Sequence, residues 1–490
     1  MKSVASILFF FLTISSFGQF GIDKTKISSQ TEKIVAKIEK VDEVMGNAVG
    51  EGGIQPEQYD HFIELQKTAT KDELMELTNH PNGVVRCYSF WALSYDREIN
   101  LLPIVVQHIY DNEFVKTQFG CRGGQERVGD FFIGRLTIKY VDSISQKLTN
   151  AEFRRLDSFL IYTPNNLWAR TDAINRARRT EELYTRLREL VIKEKYLDAL
   201  PVLAEFQKEN DIDLILNSRE FYRNDEAGYY YTYQAIMNFP RPEFMPLLEK
   251  NLTNTWDETH IPAEGKKLYA AIAAYKNDKA AELLSRAFTN VVHEGIKEYH
   301  LDFLYDAVIE YIDTVYNDIL WRLWESKHPI TIEAYSYFLK NDPRKTYAFT
   351  IRELKGARTI KHPGFDPVYD ESIITDDIDE TMFNFLFRND KELAFRIIED
   401  QIKSADNYSF SIYSDLVSKL KDGRFIKPLF KRLKKEDDRS VYLDIVKALI
   451  SYNNETINKQ IIETRKINPN LNKGWGGEEL DELLKKNNIK

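Results

Sequence analysis

The chain has 490 residues, of which 43% are hydrophobic and 29% charged, and its formal net charge is −9. This composition is typical of globular proteins and excludes an intrinsically disordered chain. Its 21 Gly and 15 Pro are too few for an all-β fold, and its acidic balance argues against a nucleic-acid partner. At this length we expect several domains or an elongated array.

The first 18 residues have the pattern of an export signal. Lys2 gives a positive start, residues 4–14 form a mostly apolar run, and Ser16 and Gly18 are the small residues expected before cleavage ahead of Gln19. The alternative is a retained membrane anchor. We favour it less, because the apolar run is too short to span a bilayer comfortably. We therefore expect an exported protein, periplasmic or secreted, with no transmembrane span after cleavage.

The segment 19–55 is expected to be a linker or tether. Residues 31–45 could form a charged helix, but Gly46 and the glycines of 50–53 then loosen the chain. The regular pattern starts at Pro56, a residue suited to the first turn of a helix.

Hydrophobic residues at helical spacing predict four short helices, over 57–67, 71–79, 84–95 and 101–110. Thr70 and Glu73 have the spacing of a capping box for the second helix. That helix should end at His80-Pro81, because the residue before proline is disfavoured in the α region. Asn82-Gly83 then predicts a turn.

The stretch 77–93 carries the most informative pattern in the chain. A helix and a tight turn are followed by Val85-Arg86, then by Ser89 and Leu93, with the apolar side chains on one helical face. This pattern resembles a HEAT repeat. The same spacing returns at Val441, Ile445 and Leu449. Helices opened by proline and an apolar pair recur weakly, at Pro103, Pro201, Pro246 and Pro428.

The resemblance implies an all-α fold, an α-solenoid of irregular HEAT-like or armadillo-type repeats. The whole chain is similar to exported helical-repeat proteins of bacteria. By resemblance, such arrays are scaffolds whose concave face holds a protein partner, and no catalytic residues come with the family. The expected segments are a signal peptide (1–18), the tether (19–55), N-terminal repeats (56–150), central repeats (151–355), an acidic loop (356–380) and C-terminal repeats with a polar cap (381–490).

Two features interrupt the repeats. The glycine-rich segment 119–130 is expected to be an inter-repeat loop that re-enters a helix near Val128, because it lacks the Gly-Lys-Ser/Thr ending of a phosphate-binding loop. The segment 356–380 contains a Pro-Gly turn and several acids. We favour a surface loop whose last acids cap the next helix over an acidic binding or metal loop, because the ligand spacing of a calcium loop is missing.

Two cysteines, Cys87 and Cys121, lie 34 positions apart, close to one repeat length. An oxidising compartment permits a disulfide between them. Two buried thiols acting as small hydrophobes are the favoured alternative.

Basic residues are concentrated between 154 and 195, with acids interleaved. A solvated helix face with intrahelical ion pairs is the default interpretation, and a patch for an anionic partner is the alternative. In the tyrosine run from 229 to 233, some rings must face outward if the run is helical. The predicted partner surface consists of Arg176, Arg178, Arg179, Tyr229, Tyr230 and Tyr231.

No catalytic, cofactor or metal motif is recognisable. His293 and His300 lie two helical turns apart, roughly 10 Å, which is too far to hold one zinc ion, and a surface row is the favoured interpretation. The sequence therefore predicts a non-catalytic, exported scaffold that binds a protein partner and needs no cofactor. The alternative is a secreted carbohydrate-active enzyme or glycan-binding protein on an all-α toroid, since paired carboxylates meet in space and escape sequence motifs. The oligomeric state stays open.

Overall fold

The computed structural model describes residues 20–137, 144–221, 228–260, 263–355 and 363–489, so the predicted signal peptide lies outside it. The fold is predominantly α-helical, neighbouring helices pack on one another, and a small sheet is added near the N-terminus. Within the described residues, no helix combines the length and hydrophobicity needed to cross a membrane. The chain divides into two compact units, Met1–Leu304 and Tyr305–Lys490.

The helices of the first unit are short. In chain order they are α1 Ser29–Val41, α2 Glu57–Thr68, α3 Lys71–Leu77, α4 Gly83–Leu93, α5 Leu102–Gln107, α6 Val128–Thr137, α7 Asn150–Tyr162, α8 Ala169–Arg176, α9 Glu181–Ile192, α10 Leu200–Ala204, α11 Ile212–Leu216, α12 Tyr230–Asn238, α13 Met245–Thr255, α14 Gly265–Ala273, α15 Asp278–Ser285 and α16 Ala287–Asn290.

The second unit consists of helices without a described strand. The boundary between the units falls within α17, Glu294–Glu310. The following helices are α18 Asn317–Glu325, α19 Ile332–Asn341, α20 Pro343–Lys355, α21 Ile378–Asn389, α22 Lys391–Ser404, α23 Phe410–Leu420, α24 Ile426–Leu433, α25 Arg439–Ile450, α26 Glu455–Ile467 and α27 Gly474–Lys486.

The sheet belongs to the first unit and has three strands in the order β1, β2, β3. They are β1 Glu43–Val49, β2 Phe114–Gly120 and β3 Arg122–Arg127. β1 runs parallel to β2, and β2 and β3 form an antiparallel hairpin in which Phe114 lies opposite Arg127. The sheet is a small addition to a predominantly α-helical fold, so the expected all-α class fits.

Helix starts follow the local chemistry of the sequence. Thr70 and Glu73 form the predicted capping box at the start of α3. The Asn82 side chain accepts a hydrogen bond from the backbone N–H of Val85, so this residue caps α4 rather than only making a turn. The prolines in α5, α10, α13 and α24 each lie in the first turn of their helix, as expected.

The helix α4 is the centre of the N-terminal packing. Every residue from Gly83 to Leu93 is buried. The helix contacts α1, α2, α3 and α6 as well as β1 and β2. The Phe62 ring on α2 stacks on Trp91 with the ring centroids 4.5 Å apart. The stretch that carries the repeat-like pattern is therefore a core helix of the first unit.

Residues 20–55 differ from the expected tether. Ile34 and Ile38 on α1 are 2% and 0% exposed, and α1 packs against α2. The backbone N–H of Asp23 donates to Glu76 over 2.7 Å. The apolar face of α1 and the pairing of β1 fix this segment to the first unit, whereas residues 51–55 are exposed.

The segment 119–130 also differs from the expected loop. It forms the turn and second strand of the β2–β3 hairpin, and the helix then starts at Val128 as predicted. Gly120 adopts a φ of +58°, the left-handed conformation that glycine accepts at little cost in a two-residue hairpin turn.

In the second unit, the described end of the acidic segment is a helix start. The Asp377 side chain accepts from the backbone N–H of Glu380 and caps α21, in agreement with the favoured interpretation. Residues 356–362 lie outside the described chain. On α25, Val441, Ile445 and Leu449 share one buried face, as their spacing predicts.

Candidate binding site at the edge of the sheet

A buried ionic network fixes the start of α4. The Arg86 side chain is fully buried, and its Nε lies 2.8 Å from an oxygen of Asp111, which is only 1% exposed. A second nitrogen of Arg86 is 2.5 Å from Glu113, and a third donates to the carbonyls of His80 and Pro81. Because each charge is paired and hydrogen-bonded, the network can persist away from water.

An aromatic ring covers this network. Phe20 stacks on His108 with a ring centroid distance of 5.3 Å, and the Arg86 guanidinium lies 4.3 Å from the Phe20 centroid. His108 in turn places Nδ1 3.2 Å from Asp111. A His–Asp pair of this kind occurs in catalysis, but His108 is fully buried under Phe20 and Phe132. We therefore assign it a packing role.

The outer edge of β1 is closed by side chains. The Tyr88 hydroxyl accepts from the backbone N–H of Met45 over 2.8 Å and donates to the Met45 carbonyl over 3.2 Å. The Gln58 amide donates to the carbonyls of Ile38 and Glu43. These groups occupy the backbone positions that another strand would need, so this edge cannot accept one.

The outer edge of β3 is open. The N–H of Val128 donates to the carbonyl of Glu113, and the N–H of Gly50 donates to the carbonyl of Gly120. These two bonds fix which residues of the hairpin turn their backbone groups toward each neighbour. It follows that Gly123, Gln125 and Arg127 direct their N–H and C=O groups away from β2.

The open edge is exposed and cationic. All residues from Arg122 to Gln125 are exposed, as is Lys116 on β2. The only carboxyl on β2 or β3 is Glu126, and its burial raises its pKa to about 7. The hairpin thus presents positive charge to solvent on a protein whose net charge is −9.

Aromatic rings flank one end of the hairpin. Phe114 and Trp168 are 48% and 52% exposed, and the Arg127 guanidinium lies 4.6 Å from the first ring centroid and 5.1 Å from the second. The Asp130 carboxylate accepts from the backbone N–H groups of Trp168 and Ala169, which fixes this ring at the start of α8. The open edge therefore ends beside a rigid, half-exposed apolar patch.

The inner face of the hairpin packs around one arginine. Arg135 is 3% exposed, and its guanidinium lies 3.9 Å from the Trp91 centroid and 5.1 Å from the Phe119 centroid. The positive charge of Arg135 lowers the pKa of Glu126, but burial has the larger, opposite effect. The hairpin is thus anchored to α4 and α6 on one face and free at its edge.

The predicted arginine surface is satisfied largely by local ion pairs. Arg176 lies 2.7 Å from Asp157 on α7, and Arg179 lies 2.7 Å from Glu205. Arg178 is exposed. These two pairs join different elements, whereas intrahelical pairs of the kind predicted occur where Arg186 and Lys193 each contact Glu189.

The predicted tyrosine surface lies at the start of α12, on a different element from the arginines. Tyr230 is 37% exposed, while Tyr229 and Tyr231 are half-buried. Tyr229 stacks on Tyr233 and Tyr230 contacts Tyr231 edge-on. Only Tyr230 therefore offers much of its ring to a partner.

The two cysteines are free in the structure, in contrast to the disulfide alternative. Cys87 is buried in α4, and its burial raises the pKa of its thiol. Cys121 is exposed in the hairpin turn, where its thiol lies 3.6 Å from the Gly50 carbonyl. One residue faces the core and the other the solvent, because the 34-residue spacing joins a helix to a hairpin rather than two stacked repeats.

The histidine row is not on the surface. His300 is 2% exposed, its Nδ1 lies 2.9 Å from the Tyr269 hydroxyl, and burial lowers its pKa. His293 lies just before α17. Across the described residues, no group of three or more His, Cys, Asp or Glu side chains is arranged to hold a metal ion.

Comparisons with known proteins give no further information: the chain matches no protein-family model and shows no significant similarity to a curated protein or a solved structure.

Proposed function

We propose that this chain is an exported, non-catalytic protein of HEAT-like helical repeats that binds a protein partner through the β2–β3 hairpin. The observation that carries the proposal is the contrast between the two sheet edges. One is closed by Tyr88 and Gln58, whereas the other is exposed from Arg122 to Gln125. Unpaired strand edges are uncommon on soluble proteins unless they are protected or used.

Three further features each support one part of the proposal. The half-exposed rings of Phe114 and Trp168 lie next to the open edge, and exposed aromatic rings beside polar groups are enriched at protein interfaces. The packing of neighbouring helices supports the repeat architecture. The pattern of the first 18 residues supports export.

The experiment is photo-crosslinking in living cells of the source organism, with benzoylphenylalanine placed in the full-length chain at Gln125 or at Arg178. We expect a discrete protein adduct from Gln125. Fractionation and N-terminal sequencing should find the chain outside the cytoplasm, starting at Gln19. A cytoplasmic chain, or adducts from neither position, would overturn the proposal.

A secreted carbohydrate-active enzyme is the second candidate, and one observation favours it. Burial raises the pKa of Glu126 to about 7, and the nearby Asp130 charge adds to this effect; burial also raises the pKa of Asp130. A carboxyl that titrates near neutral pH suits a general acid. However, both oxygens of Asp130 accept hydrogen bonds from α8, so this carboxylate is committed to capping.

Reducing-end release from a panel of polysaccharides tests that candidate. On the binding proposal, the wild type and Glu126→Gln both release none. If the wild type releases reducing ends and Glu126→Gln does not, the enzyme candidate would replace the binding proposal.

A further inference from the structure

We infer that the open edge of β3 binds an extended acidic segment of a partner protein, which adds to the sheet as a fourth strand. The inference rests on the proposed protein-binding function and names the chemistry of the partner. It follows from the backbone geometry of the edge, its glycines, its charge and the exclusion of a second copy.

The backbone geometry supplies the hydrogen bonds. Gly123, Gln125 and Arg127 direct their N–H and C=O groups outward, as established by the bonds from Val128 to Glu113 and from Gly50 to Gly120. Every second residue of β3 has outward backbone groups, which is the spacing that an added strand requires. The edge is straight enough to continue the ladder, because β2 and β3 pair in unbroken register from Phe114 to Arg127.

The glycines leave both faces of β3 uncovered. A Cβ added to Gly123 or Gly124 would meet only Thr117 atoms at 3.9 Å, so neither face of the sheet is packed at these positions. Gly-Gly in the interior of a strand weakens it through backbone entropy and is typical of sites where another chain approaches closely. Proline and a β-bulge, which commonly protect an edge, are absent from β3.

The charge selects an acidic occupant. Lys116 and Arg122 are exposed, and segment 114–125 contains no Asp or Glu. At the end of the edge, the Arg127 guanidinium is 18% exposed and lies 3.9 Å from Asp130, so its charge is partly offset. Acidic side chains on an added strand would neighbour Arg122 on one face of the sheet or Arg127 on the other, and such cross-strand pairs stabilise a sheet.

The same charges disfavour a second copy of this chain. Pairing of two β3 edges would place two copies of Arg122 and two of Arg127 along one short ladder. The like charge of the two edges would oppose their approach. The occupant is therefore a different chain, and we assign it as an extended segment with alternating acidic residues.

The test uses the full-length chain and a peptide, (Glu-Thr)4-amide, labelled with fluorescein at its N-terminus, with (Lys-Thr)4-amide labelled in the same way as its charge control. Fluorescence anisotropy should detect binding of the acidic peptide only. Gln125→Pro removes one outward N–H without touching the β2–β3 bonds and should weaken binding about ten-fold, the size expected for a lost hydrogen bond that leaves its partner unsatisfied. The matched control, Gln125→Ala, keeps that N–H and should bind like the wild type.

Hydrogen exchange distinguishes strand addition from a contact made only by side chains. Binding of (Glu-Thr)4 should slow amide exchange in residues 122–127 and leave β1 unchanged. If Gln125→Pro proves misfolded, the double variant Lys116→Glu/Arg122→Glu provides the second test. It should lose the acidic peptide and gain (Lys-Thr)4.

Three outcomes would overturn the inference: no binding of (Glu-Thr)4, equal affinity of Gln125→Pro and Gln125→Ala, or binding without slower exchange in the hairpin. The photo-crosslinks separate this failure from failure of the proposed function. A partner captured at Arg178 but not at Gln125 would leave a protein-binding role in place and remove the edge of β3 from it.

Discussion

The two edges of the small sheet differ in how they treat the free backbone groups of an edge strand. At β1, Tyr88 and Gln58 reach the backbone from buried helical positions and satisfy it. At β3, glycines and exposed polar residues leave the backbone groups facing solvent. Both edges belong to one sheet of three strands, so the difference does not come from strand propensity.

The difference shows that side chains of the helical core close the β1 edge. Tyr88 lies on α4, two residues after Arg86 and three before Trp91, and every residue of that helix is buried. The closed edge therefore depends on how α4 is held. The open edge depends only on the hairpin itself, and changes made there should leave the core intact.

The largest effect is expected from a substitution of Arg86, which holds α4 and thereby the closed edge. Arg86→Met removes the cationic partner of Asp111, which is 1% exposed and would keep only its contact with His108. We expect a loss of about 3–5 kcal/mol in the free energy of unfolding, measured by urea denaturation of the full chain with Trp fluorescence. The control is Arg179→Ala, which removes a half-exposed ion pair with Glu205 and should cost less than about 1 kcal/mol. Equal costs would contradict the anchoring role.

A change of pH should weaken the same side. The pKa of His80 is lowered to about 4 by burial, by Arg86 and by Lys24. Its Nδ1 accepts from the Asn82 N–H that begins the turn into α4. Because the unfolded chain binds the proton first, stability should fall as pH drops from about 6.5 and reach its full loss, about 3 kcal/mol, below about 4.

The measurement is the free energy of unfolding at a series of pH values for wild type and His80→Gln. The difference between the two curves should be constant above about pH 7 and shift in favour of the variant toward pH 4. Parallel curves over this window would contradict the assignment to His80. Other buried groups, such as His300, contribute equally to both proteins and cancel.

A smaller effect opens the closed edge directly. Tyr88→Phe removes the hydroxyl that satisfies both backbone groups of Met45. We expect a loss of about 1–3 kcal/mol, because these groups become unsatisfied while partly buried. Hydrogen exchange at residues 43–47 should speed up. Tyr299→Phe, on a ring that is 56% exposed, is the control and should change neither quantity.

The smallest effect belongs to the open edge. Gln125→Pro should change the free energy of unfolding by no more than about 0.5–1 kcal/mol, because the N–H that it removes points to solvent. Thr117→Pro on the central strand is the contrast, since its N–H faces β3 and proline there should cost about 3 kcal/mol or more. Similar losses for both variants would show that the β3 edge is paired within the chain.

Helix positions in this protein are readable from the sequence because their signals are local. The capping box at Thr70, the cap at Asn82 and the prolines in first turns each act within one turn of chain. The predicted start at Val128 is correct for the same reason. The predicted extent of 101–110 was too long, because α5 ends at Gln107, where the chain turns toward the Arg86 network.

The sheet could not be anticipated from helical periodicity. The alternation of Val115, Thr117 and Phe119 with polar neighbours is a strand signal, and the glycines that follow hid it by suggesting a loop. β1 is harder still, because it pairs with β2 across about 70 residues and contains Gly46. The candidate edge depends on that long-range pairing, so no local pattern could locate it.

The capped side of the sheet limits how the molecule can take part in larger assemblies. Tyr88 and Gln58 end the row of strands, so the chain can contribute only one terminus to any ladder. It can stand at the end of a row but never in its middle. At higher concentrations of chain and partner, we therefore expect complexes of fixed stoichiometry. This protein would end a row of strands and would not form the repeating subunit of a filament.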